Sequence, residues 1–378
     1  MLYADTAMKT LSIAQPTGTG LDDLPFDFNG KTSAHSPHSS DISIISPVID
    51  TASLIDPFHR RLTYLRLSVT DFCNFRCNYC LPNGYTANGG KRPDNELSLD
   101  EIATLFDGFT ALGTTKIRLT GGEPSIRHDL ADIIRIANSH DSIKTVAVSS
   151  NGYKLAKHLS AWQSAGLSQL NVSIDSFNPT IFQQITGFDM LPTLLSDLDK
   201  LLETTDIRLK LNGILMAETA FDNLQSALAY VKTYPVTYRF IEFMQTSDNS
   251  ELFFSEHASG KTIKQYLIEN GWQAIQRQAD SGPAIEFCHA DYVGKIGLIE
   301  PYAPQFCDSC NRLRVSSQGK VHLCLFDQLN YDVREFLTSG DTAGLVMALQ
   351  SLMPIKPEHH FLTDNNSGIM ANLSMVGG

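Results

Sequence analysis

The feature that most restricts how this chain can fold is an alternation running from residue 63 to residue 244. Six short strand-like runs stand out: "TYLRLSVTD" (63–71), "KIRLTGGEP" (116–124), "TVAVSSNG" (145–152), "LNVSID" (170–175), "IRLKLNGIL" (207–215) and "TYRFIEFM" (237–244). Between them, residues 97–113, 129–140, 154–165, 191–203 and 219–232 carry helical patterns. The first opens on Ser98 and Glu101 in a capping-box arrangement and stops at Gly113. Repeated strand–helix units demand a parallel sheet with right-handed crossovers. Special residues also recur where each strand ends, among them Cys73, Gly121–Gly122–Glu123–Pro124, Ser150–Asn151, Ser173 with Asp175, Lys210 with Asn212, and Glu242 with Met244. When every strand delivers chemistry to one mouth, a curled sheet is the natural container. The predicted fold is α/β: an incomplete (β/α)6 TIM-like barrel over residues 56–245, with a smaller C-terminal domain over 246–378 capping the barrel mouth.

Residues 1–55 have a different character. They are rich in Ser, Thr, Pro, Gly and Asp, with two lysines, no arginine and six aspartates, which fits neither a secretory signal nor a transit peptide. The expectation is a disordered extension. No apolar run reaches the length of a membrane span. A net charge of −12 excludes a broad basic surface for nucleic acid but leaves room for a local cluster of cations. The expected compartment is a reducing cytoplasm, where clustered cysteines serve metals more often than disulfides.

Six of the seven cysteines form two trios. Cys73, Cys77 and Cys80 follow the first strand, with three and then two residues between them. Three thiolates on one loop can hold three irons of a [4Fe–4S] cube and leave the fourth iron open to an amine and a carboxylate. A zinc site lacking its fourth ligand, or a set of buried thiols, is the alternative. Cys307, Cys310 and Cys324 form the second trio, again three thiolates; a zinc completed by His289 or His322 is the alternative there. Between its members lie Arg312 and Arg314, which an extended segment would turn the same way, suiting phosphate oxygens, unless they form a solvated strand face. Cys288 stands alone and reads as a packed thiol.

Taken in order, "RLSVTDFCNFRCNYC", "KIRLTGGEP", "SSNG", "NVSID", "FIEFM", "FC..CNRLR…C" and a terminal "GG" resemble the GTP 3′,8-cyclase family of the radical S-adenosylmethionine superfamily, over residues 58 to 378. The resemblance implies two [4Fe–4S] clusters, on Cys73, Cys77 and Cys80 and on Cys307, Cys310 and Cys324. It implies S-adenosylmethionine on the first, assisted by Tyr79, Gly122, Ser173 and Met244, and GTP on the open iron of the second. Arg66, Arg118, Ser150, Lys210, Arg312 and Arg314 would contact GTP, and Gly377 and Gly378 would reach back to the site with Arg312 and Arg314 as catalytic parts. Phe72 departs from the basic residue common at its position.

The implied reaction is the first step of molybdenum cofactor biosynthesis. A 5′-deoxyadenosyl radical removes the C3′ hydrogen of GTP, and C3′ attacks C8 of the guanine. Implied partners are a one-electron donor such as flavodoxin or ferredoxin, the cyclic pyranopterin monophosphate synthase that takes the product, and a second copy in a homodimer. Competing readings are a peptide-modifying radical enzyme and a metal-binding module without catalysis.

Overall fold

Alternate residues of a strand point to opposite faces of its sheet, and here the two faces have opposite chemistry. In a computed structural model, residues 53–91, 93–277, 281–327, 329–364, 366–368 and 374 are described; the expectations for residues 1–52 and for Gly377 and Gly378 lie outside them. Strands β1 (Tyr64–Ser68), β2 (Lys116–Thr120), β3 (Thr145–Ser150), β4 (Gln169–Ser173), β5 (Arg208–Leu215) and β6 (Thr237–Glu242) lie side by side in chain order. Each is parallel to the next. Leu65, Leu67, Ile117, Leu119, Val146, Val148, Leu170, Val172 and Leu211 fill the outer face and belong to one continuous apolar core. Their neighbours Arg66, Arg118, Ser149, Asn171, Lys210 and Arg239, one from each of the six strands, face a single cavity on the other side. Side chains from six successive strands can share one cavity only if the sheet curls around it, so the architecture is an incomplete barrel with a polar interior.

Helices α1 (Leu99–Ala111), α2 (Leu130–Asn138), α3 (Leu155–Ser164), α4 (Pro179–Thr186), α5 (Leu191–Thr204) and α6 (Ala220–Thr233) connect the strands. Their apolar stripes supply Phe106, Phe109, Ile133, Trp162, Phe182 and Leu198 to the core. The Ser98 capping box is present: the Ser98 hydroxyl accepts from the Glu101 N–H, and the Glu101 carboxylate accepts from the Ser98 N–H. Helix α4 was not expected from periodicity; its signal is local, Asn178 capping two N–H groups with Pro179 in the first turn.

Beyond β6 the chain adds α7 (Ser250–Glu256), α8 (Gly260–Glu269), β7 (Gln273–Ala274), β8 (Ile285–Cys288), β9 (Lys295–Ile299), β10 (Arg312–Val315), β11 (Lys320–His322) and β12 (Tyr331–Asp332). These strands extend the same sheet at both edges, to give the order β12-β11-β10-β1-β2-β3-β4-β5-β6-β9-β8-β7. Strand β9 is parallel to β6 and β10 is parallel to β1, so eight consecutive strands run the same way. Two more helices follow, α9 (Arg334–Ser339) and α10 (Thr342–Ser351). Gly340 in the left-handed region ends the first, and the Asp341 carboxylate caps the second. Among the described residues no helix is long and apolar enough to cross a membrane.

Glu101 does more than cap. Its carboxylate also accepts from Arg334 Nε at 3.0 Å and Thr338 Oγ1 at 2.9 Å, tying α1 to α9. Ser98→Ala should therefore cost about 1 kcal/mol, the usual worth of an N-cap. A urea midpoint lowered at unchanged slope would show it. A midpoint equal to the parent's would mean that the Arg334 tie alone holds this helix start.

Candidate active site

The first trio sits on the loop after β1. The Cys80 and Leu81 N–H groups both donate to the Cys77 carbonyl, a tight turn that brings Cys77 and Cys80 to the same side. The loop is held by the glycine pair after β2. Gly122 N–H donates to the Thr70 carbonyl at 2.8 Å, and Glu123 N–H to the Phe72 carbonyl at 2.9 Å. A Cβ on Gly122 would stand 2.3 Å from the Phe72 carbonyl oxygen and 2.6 Å from that of Asp71. The glycines thus let two backbones touch, which places the cysteine loop.

The carboxylate of Glu123 is buried and fully engaged. It accepts from Ser125 N–H at 2.9 Å, Ser150 Oγ at 2.8 Å and Asn151 N–H at 2.6 Å. Ser150 therefore spends its proton on Glu123 while facing the cavity. Tyr79 donates to Asp175 Oδ2 at 2.9 Å, and Asp175 is raised to about 6 by burial. Burial, with Glu123 beside it, pushes the Cys73 thiol up to about 12, and burial with Asp175 raises Cys77 well above a free thiol. Thiols in so anionic a setting become thiolates by binding a cation that displaces the proton.

The second trio has the opposite surroundings. Burial raises Cys310, but the charges of Arg312 and Lys356 outweigh it and lower the thiol to about 6. Cys307 and Cys324 are raised, in both cases chiefly by burial. Cys310 lies two residues before β10, and β11 runs antiparallel to β10, so Cys324 returns to the end where Cys310 sits. Because β10 is parallel to β1, that end lies opposite the one where β1 delivers Cys73. At the rise of an extended strand the two trios stand roughly 15 Å apart.

Between them the register writes a grid. Arg314, Arg66 and Arg118 are direct neighbours across β10, β1 and β2, and Arg312, Tyr64 and Lys116 form the row below. Arg66 is held below the ordinary guanidinium value by burial and then by the charge of Arg314. Arg118 Nε donates to the Tyr64 hydroxyl and its NH1 to Ser149 Oγ at 2.9 Å. Burial would raise the Tyr64 phenol, but Arg118, Arg66 and Lys116 bring it down to about 7. Lys210 is paired with Glu286 at 2.5 Å.

Every expected site residue among the described ones lines this one cavity, the six cysteines included. Lys116, Arg239, Tyr64 and His360 line it too and were not expected. Lys116 had a readable signal, since "KIR" alternates as "RLR" does; Tyr64 and His360 depend on tertiary neighbours. Ser374 also reaches the wall. Phe72 packs edge-on against Tyr85 with centroids 5.2 Å apart, an apolar contact. Cys288 lies on β8, its Sγ 3.8 Å from the Gln273 carbonyl.

Comparison with known proteins agrees with this geometry. Residues 67–191 match the radical SAM superfamily, and residues 236–362 match the family described as Molybdenum Cofactor Synthesis C. The chain is 46% identical over 328 residues to the GTP 3′,8-cyclase of Pectobacterium atrosepticum, covering 86% of this chain and 99% of that one. It is 45% identical over 324 residues to that of Vibrio vulnificus, covering 85% and 97%. This chain belongs to the GTP 3′,8-cyclase family. Among solved structures, Streptococcus suis SuiB bound to S-adenosylmethionine shares the fold at a TM-score of 0.53 and 10% identity, over 78% of this chain and 69% of SuiB.

Two outcomes follow for this member of the cyclase family. Gly122→Ala should destabilise by about 1–3 kcal/mol, because a backbone carbonyl must yield. Gly282→Ala, also on the cavity wall but with nothing within 4 Å of its Cβ, should leave the unfolding midpoint in place. In the ligand-free protein a phenolate should appear in near-ultraviolet difference spectra above about pH 7, below the value near 10 of a free tyrosine. Tyr64→Phe should abolish that early step; if the step persists, another tyrosine carries it.

Proposed function

We propose that this chain carries out the reaction of its family, converting GTP to 3′,8-cyclo-7,8-dihydro-GTP at the start of molybdenum cofactor biosynthesis. The observation that carries the reading is the double row of cations set between two cysteine trios in one cavity. The donor sets suit the groups: soft thiols, free of disulfides, three at each end. Cys73, Cys77 and Cys80 would hold one [4Fe–4S] cluster with S-adenosylmethionine, near Tyr79, Gly122, Ser173 and Met244. Cys307, Cys310 and Cys324 would hold the other. When bound, these groups supply the electron and the hydrogen-abstracting radical on which C3′–C8 bond formation depends.

The chain's own residues bind, orient and shield. Arg314, Arg66 and Arg118 are held side by side by strand pairing, so their mutual repulsion exists before any ligand arrives. A triphosphate relieves it, and forked guanidiniums fix its rotation as well as its charge. Lys210, neutralised by Glu286, would contribute less than the guanidiniums. Fixing the phosphates sets where the ribose lies between the two trios, which is the orientation a single hydrogen transfer requires. Met244, Phe326 and Leu362 form a buried apolar wall packed against Cys80 and Cys324, which keeps water from that side.

In this reading the remaining electron comes from a flavodoxin- or ferredoxin-type donor, and the product passes to cyclic pyranopterin monophosphate synthase. The chain works as a cytoplasmic homodimer, the expectation carried by its family.

The deciding experiment is an anaerobic incubation of iron- and sulfide-reconstituted protein with reductant, S-adenosylmethionine and GTP, followed by mass analysis. GTP-dependent 5′-deoxyadenosine with a product isomeric to dihydro-GTP supports the cyclase. Unchanged GTP beside GTP-independent 5′-deoxyadenosine would leave a radical enzyme with another substrate. Arg314→Ala should lower GTP-coupled turnover by about 10- to 100-fold, the worth of one charge-assisted contact, at unchanged iron and sulfide content. Equal loss of iron would move Arg314 from substrate binding to cluster support.

A further inference from the structure

The second trio is assembled from distant pieces of chain: Cys307 and Cys310 precede β10, and Cys324 follows β11. What fixes their spacing is not strand pairing alone. Arg60, on the turn before β1, is buried, with 8% of its surface exposed. Its Nε donates to Asp56 Oδ2 at 2.5 Å, while the Asp56 Oδ1 accepts the Phe58 and Arg60 N–H groups at 3.0 Å each. The carboxylate thus shapes the turn and aims the guanidinium. The two terminal nitrogens of Arg60 then reach three carbonyls: NH1 to Cys307 at 3.1 Å and Glu358 at 2.6 Å, and NH2 to Pro357 at 2.7 Å. One residue earlier in that last segment, the buried Lys356 ammonium donates to the carbonyl of Leu323, the residue before Cys324.

We infer that Arg60 and Lys356 are positioning residues for the second trio, joined through residues 356–358 into a bridge that sets the Cys307 loop against Cys324. The hydrogen bonds of the bridge go to backbone oxygens and to Asp56, and the Arg60 guanidinium also lies over the Phe58 ring, so neither side chain needs to touch a reacting atom. Both are cationic, which suits loops whose thiols must carry negative charge. A lysine at position 60, with three donors on one nitrogen, could not keep Asp56 and all three carbonyls at once. The inference rests on the reading of this trio as an iron–sulfur site, and its test separates the two.

The test is iron and sulfide content with electron paramagnetic resonance, on reconstituted full-length protein. Parent protein should hold about eight irons per chain; about four would overturn the two-cluster reading itself. Arg60→Ala and Lys356→Met should each fall to about four, with the signal of the first cluster retained, and Arg60→Lys should lie between. In a background where Cys73, Cys77 and Cys80 are alanine, which isolates the second site, adding Arg60→Ala should take iron from about four to near zero. Full occupancy with unchanged spectra in both single variants would overturn the bridge. So would equal loss of iron from both sites, since that marks general damage to the fold.

Discussion

The interaction on which the rest of this molecule depends is the parallel pairing of β10 with β1, two segments that are far apart in sequence. It adds a strand to the open edge of the barrel, and that strand carries two arginines facing inward. The register then does chemical work: Arg314 meets Arg66 and Arg312 meets Tyr64, while β2 continues both rows with Arg118 and Lys116. Because the pairing is parallel, the loop entering β10 and the loop leaving β1 lie at opposite ends of the cavity, and each carries cysteines. Had β10 paired antiparallel, both cysteine loops would lie at one end and the cations would no longer lie between them.

Electrostatics divides the cavity along the same axis. Buried carboxylates, Glu123 and Asp175, stand beside the first trio, whereas Arg312, Lys356 and Arg60 surround the second. A negative neighbourhood opposes adding an electron and a positive one favours it, so the two sites are unequal by construction. The cations between them coexist with a net charge of −12 because they converge on one cavity. Their crowding is a cost to the empty fold, moderated by Glu286 at Lys210 and by the Tyr64 hydroxyl at Arg118. A polyanion would remove that cost, which makes the rows a preorganised site rather than one assembled on binding.

Much of this was legible in the sequence because it is written locally. Strand and helix periods over 63–244, the Ser98 capping box and the spacing of both trios need no knowledge of distant residues. Arg312 and Arg314 were readable for the same reason, since alternation on a strand is a local property. Features that depend on the fold were not. Strand β9 joins β6 and β10 joins β1 through pairings that no short window contains. Arg60 and Lys356 carry no motif, and their importance lies in carbonyls up to 298 residues away. Ser150, which the resemblance implies contacts GTP, lines the cavity while its hydroxyl donates to Glu123, a partner that no short window shows.

The incomplete barrel by itself says little about what is transformed inside it. SuiB, only 10% identical, has the same frame. A frame sets where strand ends point; the residues on its inner face choose the ligand. Here that face carries Arg66, Lys116, Arg118, Lys210, Arg239, Arg312 and Arg314 in one cavity. A neutral peptide would bring no counter-charge to this crowded set, in which Glu286 already answers Lys210 while Arg66, Arg118 and Arg314 still repel one another. A compact ligand carrying several negative charges relieves that repulsion. The selectivity of this cavity therefore rests as much on what its crowded cations reject as on what they hold.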